Sequence, residues 1–306
     1  MVDFDKSLYK SKRLFADEHF ENGFMVFPLK YDDDRSTPWQ HWAFPETKGE
    51  PQWEILQLYS KYCFWEERQD VGTPYVLTDT HNSKRFTYNP EEKSITFQLN
   101  AQNIYEGEHT VPRFWPHLLI QQKHICDYKN MPEGEEKRFY SANSDKICVE
   151  MDVKIHEFIP TPYEEDVKSC EFVSYTYLQH IDKNHVYVGC APFVANWHVK
   201  HNFFKESGGA NYVYQLPEEI IHGSIENSFN RPDGTILTGE WQHIEVDLTP
   251  HIDKILEKAN NELIFGRPVK REEFYFSGTN MGFEIHGNMS CTIEVKNYNL
   301  VSYIKK

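Results

Sequence analysis

The sequence predicts an all-β protein, a single antiparallel β-sandwich of the jelly-roll, galactose-binding-like or concanavalin-like type with one short peripheral helix. The first observation behind this prediction is that apolar and polar residues alternate with period two in many short segments from about residue 95 onwards. The second is that turn-forming clusters such as Asn89-Pro90 separate these segments. A chain of 306 residues is long enough to bury the core of such a domain.

The N-terminal third gives the weakest pattern. Residues 53–66 fit a helix and a strand equally well, and that choice stays open. We therefore treat residues 1–306 as one sandwich domain in which residues 1–90 form an N-terminal extension of uncertain structure.

Strands are predicted where one face of the alternation is apolar. Between residues 147 and 155, for example, every odd position is apolar, whereas Glu150, Asp152 and Lys154 occupy even positions. The segments with this pattern are residues 95–99, 147–155, 172–178, 186–190, 244–248 and 291–295.

One helix is predicted over residues 250–259. Thr249 can cap its N-terminus and Pro250 suits the first helical position. An apolar face for packing against the sandwich is formed by Ile252, Ile255, Leu256 and Ala259.

Charge and targeting signals restrict the classes of partner. The chain has 47 acidic and 32 basic residues and a formal net charge of -15, which disfavours binding to nucleic acid or to an anionic membrane. It has no run of about 18 apolar residues and no secretory signal at its start, so we expect a cytoplasmic protein without a membrane partner. The oligomeric state is not predicted.

The six cysteines are widely spaced and include no C-x-x-C pair. Several occupy apolar positions of predicted strands, where a free cysteine packs as a small hydrophobic residue. We therefore expect free thiols at Cys63, Cys126, Cys148, Cys170, Cys190 and Cys291.

The stretch RFWPHLLIQQ, residues 113–122, supplies the main candidate site. Phe114, Leu118 and Ile120 are predicted to face the core. On the other face, an aromatic ring among fixed donors and acceptors suits a sugar, whose C–H face stacks on the ring while its hydroxyls take hydrogen bonds. A residue buried under a loop is the competing interpretation. The predicted binding residues on this face are Arg113, Trp115, His117 and Gln121.

Two further residues are predicted to contribute. Trp241 is on the outward face of the strand at residues 241–248, where solvated charged side chains are the alternative interpretation. Glu284 lies between two apolar residues and close to several glycines, so it can line a pocket or stay an ordinary exposed residue.

Metal and cofactor signals are weak, and we predict no cofactor. Residues 31–35 include three aspartates that could hold calcium, but without the ligand spacing of a known loop. His198 and His201 lack a third zinc ligand in sequence. Phosphate-binding and nucleophile-elbow motifs are not present.

Residues 113–121, 241–250 and 281–287 with the strand that follows resemble a group of bacterial β-sandwich proteins. This group is similar to jelly-roll carbohydrate-binding modules and to the lyase-like sandwiches of glycan-utilisation systems. The resemblance implies a sandwich that binds or processes an oligo- or polysaccharide. The sequence departs from the pattern at residues 186–193, which lack the aspartate and arginine of the corresponding strand.

Three function classes follow. The first is a protein that binds a glycan without changing it. The second is a glycan-cleaving enzyme, either a lyase with His117 as base and Arg113 neutralising a uronate, or a hydrolase with two carboxylates at a defined separation. The third is a structural or assembly protein that uses the same face as an interface.

Overall fold

Two β-sheets pack face to face in the structure, which is a computed structural model. It describes residues 4–27, 40–64, 67–69, 73–104, 116–123, 141–160, 169–181, 185–195, 202–205, 212–216, 229–231, 233 and 235–306. One core cluster contains apolar residues from both sheets. The rings of Phe97 and Phe172, one from each sheet, lie edge to face at 5.3 Å. This confirms the predicted all-β sandwich.

Within the described residues the two sheets have eight and nine strands. The first has the order β15-β10-β17-β8-β7-β6-β5, and β1 also pairs with β17. All of these pairings are antiparallel. Its strands are β1 (Tyr9–Arg13), β5 (Glu67–Gln69), β6 (Tyr75–Thr78), β7 (Lys84–Asn89), β8 (Ser94–Asn100), β10 (Lys146–Ile159), β15 (Gln242–Asp247) and β17 (Ser290–Lys305).

The second sheet has nine strands, with the order β13-β14-β12-β11-β16-β9-β4-β2-β3. Two pairings, β12 with β14 and β2 with β4, are parallel, so this sheet is mixed rather than purely antiparallel as predicted. Its strands are β2 (Phe24–Val26), β3 (Gln40–Trp42), β4 (Trp53–Leu56), β9 (His117–Lys123), β11 (Ser169–His180), β12 (His185–Ala195), β13 (Asn202–Lys205), β14 (Tyr212–Leu216) and β16 (Phe274–His286).

Residues 1–90, which the sequence left without assigned structure, supply strands to both sheets. Strand β4 begins at Trp53, which resolves the ambiguity of residues 53–66 in favour of a strand at its start. The alternation is poor here because strands such as β2 and β3 have only three residues. A three-residue segment cannot show a period of two.

The predicted strands form because each buries one apolar face. In β8, Ile95, Phe97 and Leu99 are completely buried. In β9, Leu118 and Ile120 join the main core as predicted, whereas Phe114 lies outside the described residues.

The long helix, α2 (Thr249–Asn261), is three residues longer than the predicted 250–259. A four-residue helix, α1 (Ala101–Ile104), precedes it in the chain. The prediction that Thr249 caps α2 is wrong. Its Oγ1 instead accepts a hydrogen bond of 2.9 Å from the backbone N–H of Ile147 in β10. The hydroxyl therefore ties the start of α2 to the eight-stranded sheet. Among the described helices, none is long and apolar enough to cross a membrane.

Five of the six cysteines are described, and each is a free thiol as predicted. Four of them are fully buried, at Cys148, Cys170, Cys190 and Cys291. Burial raises the pKa of Cys190 to about 12, which keeps its thiol protonated and unreactive. Cys126 lies outside the described residues.

We expect Ile120→Ala to reduce the free energy of unfolding by about 2–5 kcal/mol, the range for a large aliphatic residue removed from a packed core. Ile120 is fully buried and lies between Met281 of β16 and Ile55 of β4 in the register. Chemical denaturation measures the change. The matched control is Ile304→Ala, because Ile304 is 44% exposed and its loss should change stability by at most about 0.5 kcal/mol. Equal effects of the two substitutions would contradict the assigned core.

Candidate functional site

The outer face of the nine-stranded sheet, which points away from the main core, carries a row of three ionisable residues. Glu284 of β16 lies opposite His117 of β9 on one side and opposite Glu171 of β11 on the other. We call His117, Glu284 and Glu171 the carboxylate row. Its members belong to three neighbouring strands, so they are far apart in sequence and adjacent in the sheet.

Strand alternation fixes the direction of both carboxylates. Glu284 stands between the core residues Phe283 and Ile285, and Glu171 stands between Cys170 and Phe172. Because consecutive side chains of a strand point to opposite faces, both glutamates point outwards. Directly opposed residues have Cβ atoms about 4.5–5.5 Å apart. The sheet therefore holds two carboxyl groups side by side.

The two carboxyl groups differ in burial, and burial favours the protonated form of Glu171. Burial is the main cause that raises the pKa of Glu171 to about 7, and the negative charge of Glu284 adds to it. Gln215 of β14 opposes this shift, since its Nε2 donates a hydrogen bond of 3.2 Å to Oε2 of Glu171. Glu171 is only 5% exposed, whereas the side chain of Glu284 is 23% exposed. Near neutral pH, Glu171 therefore stays partly protonated, and Glu284 is the better solvated of the two carboxyl groups.

His117 is a neutral member of the row. Burial lowers its pKa to about 3, so the imidazole is uncharged at neutral pH. Its Nε2 lies 3.8 Å from Oε2 of Glu284, and that contact is consequently not an ion pair. Such a weakly basic imidazole does not favour His117 as the proton-abstracting base of a lyase.

Gln121, another predicted binding residue, lies on the same outer face further along β9. It is opposite Asn280 of β16 and Glu54 of β4 in the register. Its Nε2 donates to a carboxylate oxygen of Glu54, and the hydroxyl of Tyr177 donates to its Oε1 at 3.5 Å. Oδ1 of Asn280 is a buried acceptor with no hydrogen-bond partner in the described part of the chain. A donor from a ligand would satisfy it.

An apolar strip separates the carboxylate row from Gln121. It is formed by Leu56, Leu119, Val173, Ala191 and Val194. Gly282 lies in this strip with φ of 148°, and a Cβ added there would come within 2.2 Å of the carbonyl oxygen of Leu118. Only glycine lets β16 approach β9 so closely beside Glu284.

The structure brings together three of the six predicted binding residues, His117, Gln121 and Glu284. Trp241 is not with them, which corrects the prediction that it contributes to the same surface. Its ring lies on the eight-stranded sheet, 4.4 Å from Nζ of Lys154 and 4.3 Å from Nζ of Lys296. Alternation gave its outward direction correctly but could not tell which sheet it belongs to. Arg113 and Trp115 lie outside the described residues.

Glu171 is the functional candidate that sequence reasoning missed. The predicted strand began at residue 172, one residue after it. The signal was a lone carboxylate between the apolar residues Cys170 and Phe172, the same local pattern that marked Glu284.

The predicted calcium and zinc candidates, residues 31–35 with His198 and His201, lie outside the described residues. Within the described ranges, no group of three or more His, Cys, Asp or Glu side chains is placed to hold a metal ion.

No family model matches the chain, and no curated protein sequence matches it. The chain is similar to several solved structures. One is a thermostable cellulase derived from Cel12A of Rhodothermus marinus, which is 10% identical to this chain. The match covers 82% of this chain and 100% of that chain, with a TM-score of 0.40. A family 12 xyloglucanase from Bacillus licheniformis is 9% identical to this chain. The match covers 80% of this chain and 98% of that chain, with a TM-score of 0.39. The family 11 xylanase from Neocallimastix patriciarum is 10% identical to this chain. The match covers 76% of this chain and 90% of that chain, with a TM-score of 0.37.

We expect Glu171→Gln to stabilise the protein at pH 8 but not at pH 4. The pKa of Glu171 is raised to about 7 in the folded protein, above its usual 4.5, so the wild type loses stability as pH rises through that window. The amide cannot ionise, and the variant should gain up to about 3 kcal/mol at pH 8.

Urea denaturation of both proteins at the two pH values measures the difference. Glu257→Gln is the control, because Glu257 is exposed on α2. A gain of equal size at pH 4 and pH 8 would show that ionisation of Glu171 is not its cause.

Proposed function

We propose that this protein is a glycoside hydrolase acting on an oligo- or polysaccharide, with Glu171 as general acid and base and Glu284 as the nucleophile. The observation that carries the proposal is the direct opposition of these two glutamates in the β11–β16 register. Glycoside hydrolysis uses a pair of carboxyl groups in which one is protonated and the other ionised. The raised pKa of Glu171 and the greater exposure of Glu284 support these two roles.

The proposed reaction has two steps. The carboxylate of Glu284 attacks the anomeric carbon, the glycosidic C–O bond breaks, and Glu171 gives its proton to the leaving oxygen. Glu171, now ionised, takes a proton from a water molecule whose oxygen attacks the same carbon. The bond to Glu284 then breaks, which releases the sugar and restores both side chains.

The surroundings of the carboxylate row suit a sugar. The apolar strip can contact C–H groups of a sugar ring, while Gln121, Asn280 and Glu54 can bind hydroxyl groups beyond it. The similar solved structures are a cellulase, a xyloglucanase and a xylanase, and oligosaccharides of cellulose, xyloglucan and xylan are the first substrates to test.

We expect the reaction to retain the anomeric configuration. Directly opposed strand residues have Cβ atoms about 4.5–5.5 Å apart, which is compatible with the carboxyl separation of about 5–5.5 Å in retaining enzymes and favours it over the 6.5–9.5 Å of inverting ones. Proton NMR during early hydrolysis identifies the first anomer released. Release of the inverted anomer would exclude Glu284 as the nucleophile.

We expect Glu171→Gln and Glu284→Gln to reduce hydrolysis of cellulose, xylan and xyloglucan oligosaccharides by at least about 10²–10⁴-fold, the usual contribution of a catalytic acid or base. Glu171→Gln alone should still release a first burst of dinitrophenol from a dinitrophenyl glycoside, whose leaving group needs no proton, and then turn over slowly because the second step has lost its base. Reducing-end release and dinitrophenol absorbance are the measurements.

The matched control is Glu257→Gln on α2, which should hydrolyse at the wild-type rate. A wild-type protein that binds these glycans without releasing reducing ends would instead be a binding protein. Undiminished hydrolysis by either glutamine variant would contradict the assigned roles.

A further inference from the structure

An exposed tyrosine stands at one end of the carboxylate row. Tyr59 is 46% exposed and has a backbone φ of 55°. Large side chains adopt that conformation only where the surrounding structure imposes it, because it is strained by about 1–3 kcal/mol. The chain therefore keeps a partly exposed aromatic residue in a strained backbone conformation.

The segment that carries Tyr59, residues 57–64, is fixed by buried polar contacts on both sides of it. Gln57 is 1% exposed, its Nε2 donates to the backbone oxygen of Phe27 at 2.9 Å, and its Oε1 accepts from the N–H of Phe64 at 3.1 Å. The fully buried ammonium of Lys84 donates to Oγ of Ser60 at 2.7 Å and to the backbone oxygen of Tyr62. These contacts make the position of residue 59 a rigid one.

Tyr59 is also tied directly to the carboxylate row. The backbone N–H of His117 donates to the carbonyl oxygen of Leu58 at 2.8 Å. The rings of Tyr59 and His117 meet nearly at right angles, with their centroids 5.2 Å apart. Since His117 neighbours Glu284 and Glu284 neighbours Glu171, the order across the strands is Tyr59, His117, Glu284, Glu171.

We propose that Tyr59 is a stacking platform for a sugar unit next to the cleaved bond, so that the glycan lies across the strands of the nine-stranded sheet. This rests on the proposed hydrolase function and adds to it the direction of the substrate and one of its binding positions. An aromatic ring takes the C–H face of a sugar, and a rigid ring loses little entropy in doing so. The row of side chains leads from this ring to the two carboxyl groups.

The experiment measures binding in a Glu284→Gln background, where cleavage does not consume the ligand. Isothermal titration with hexasaccharides of cellulose, xylan and xyloglucan compares three further substitutions. Tyr59→Asn removes the ring and introduces a residue that tolerates the positive φ of this position. Tyr59→Phe keeps the ring. Tyr62→Ala changes a tyrosine of the same segment whose ring stacks on His81 at 3.5 Å instead.

Tyr59→Asn should weaken binding of the hexasaccharide about 10- to 100-fold, which corresponds to about 1.4–2.8 kcal/mol. Tyr59→Phe and Tyr62→Ala should bind like the parent, and thermal melts of all variants verify that each is folded. Equal affinity of Tyr59→Asn and the parent would overturn the platform.

The platform and the hydrolase can fail separately. If the wild type hydrolyses a hexasaccharide and Tyr59→Asn binds it normally, only the platform is wrong. If a hexasaccharide binds through Tyr59 but the wild type never cleaves it, the hydrolase proposal is wrong and Tyr59 is a sugar-binding residue of a protein that does not cleave the glycan. If none of the three hexasaccharides is bound or cleaved, both proposals are overturned.

Discussion

The register of β9, β16 and β11 is the constraint on which the candidate site depends. It places His117, Glu284 and Glu171 in one line, although they come from three distant parts of the chain. A slip of one residue in β11 would turn Glu171 into the core and Phe172 into solvent. Burial of Leu118, Phe283 and Phe172 between the sheets therefore maintains the polar row on the outside.

Two carboxyl groups that lie side by side and partly buried destabilise the folded protein when both are ionised. Burial, and to a smaller degree the negative charge of Glu284, raises the pKa of Glu171, so the more buried carboxyl group stays protonated to a higher pH. The contact from Gln215 limits how far the affinity of Glu171 for that proton rises. Catalysis of proton transfer needs a group that both holds and releases a proton near neutral pH. The burial that disfavours ionised Glu171 is thus also what would let this residue donate a proton near neutral pH.

Local periodicity predicted the fold class and the direction of single side chains, but it could not predict which strands pair. His117 and Gln121 were assigned to the correct face because β9 alternates regularly. Trp241 was assigned to the wrong surface because sheet membership depends on contacts between distant segments. Glu171 was missed for the same reason, since its importance comes from lying opposite Glu284. Tyr59 also gave no periodic signal, because it belongs to a turn whose shape depends on Gln57 and Lys84.

The pairing of β1 with the end of β17 has a consequence for how the protein is made. Residues 9–13 pair with residues 301–305, and the earlier half of β17 fills the space between β10 and β8. A growing chain on the ribosome cannot complete this sheet until its last described strand emerges, so this sheet is completed late in synthesis. Until then the edges of β8 and β10 lack their partner and can pair with other chains. Yield during overexpression or refolding should therefore fall as protein concentration rises.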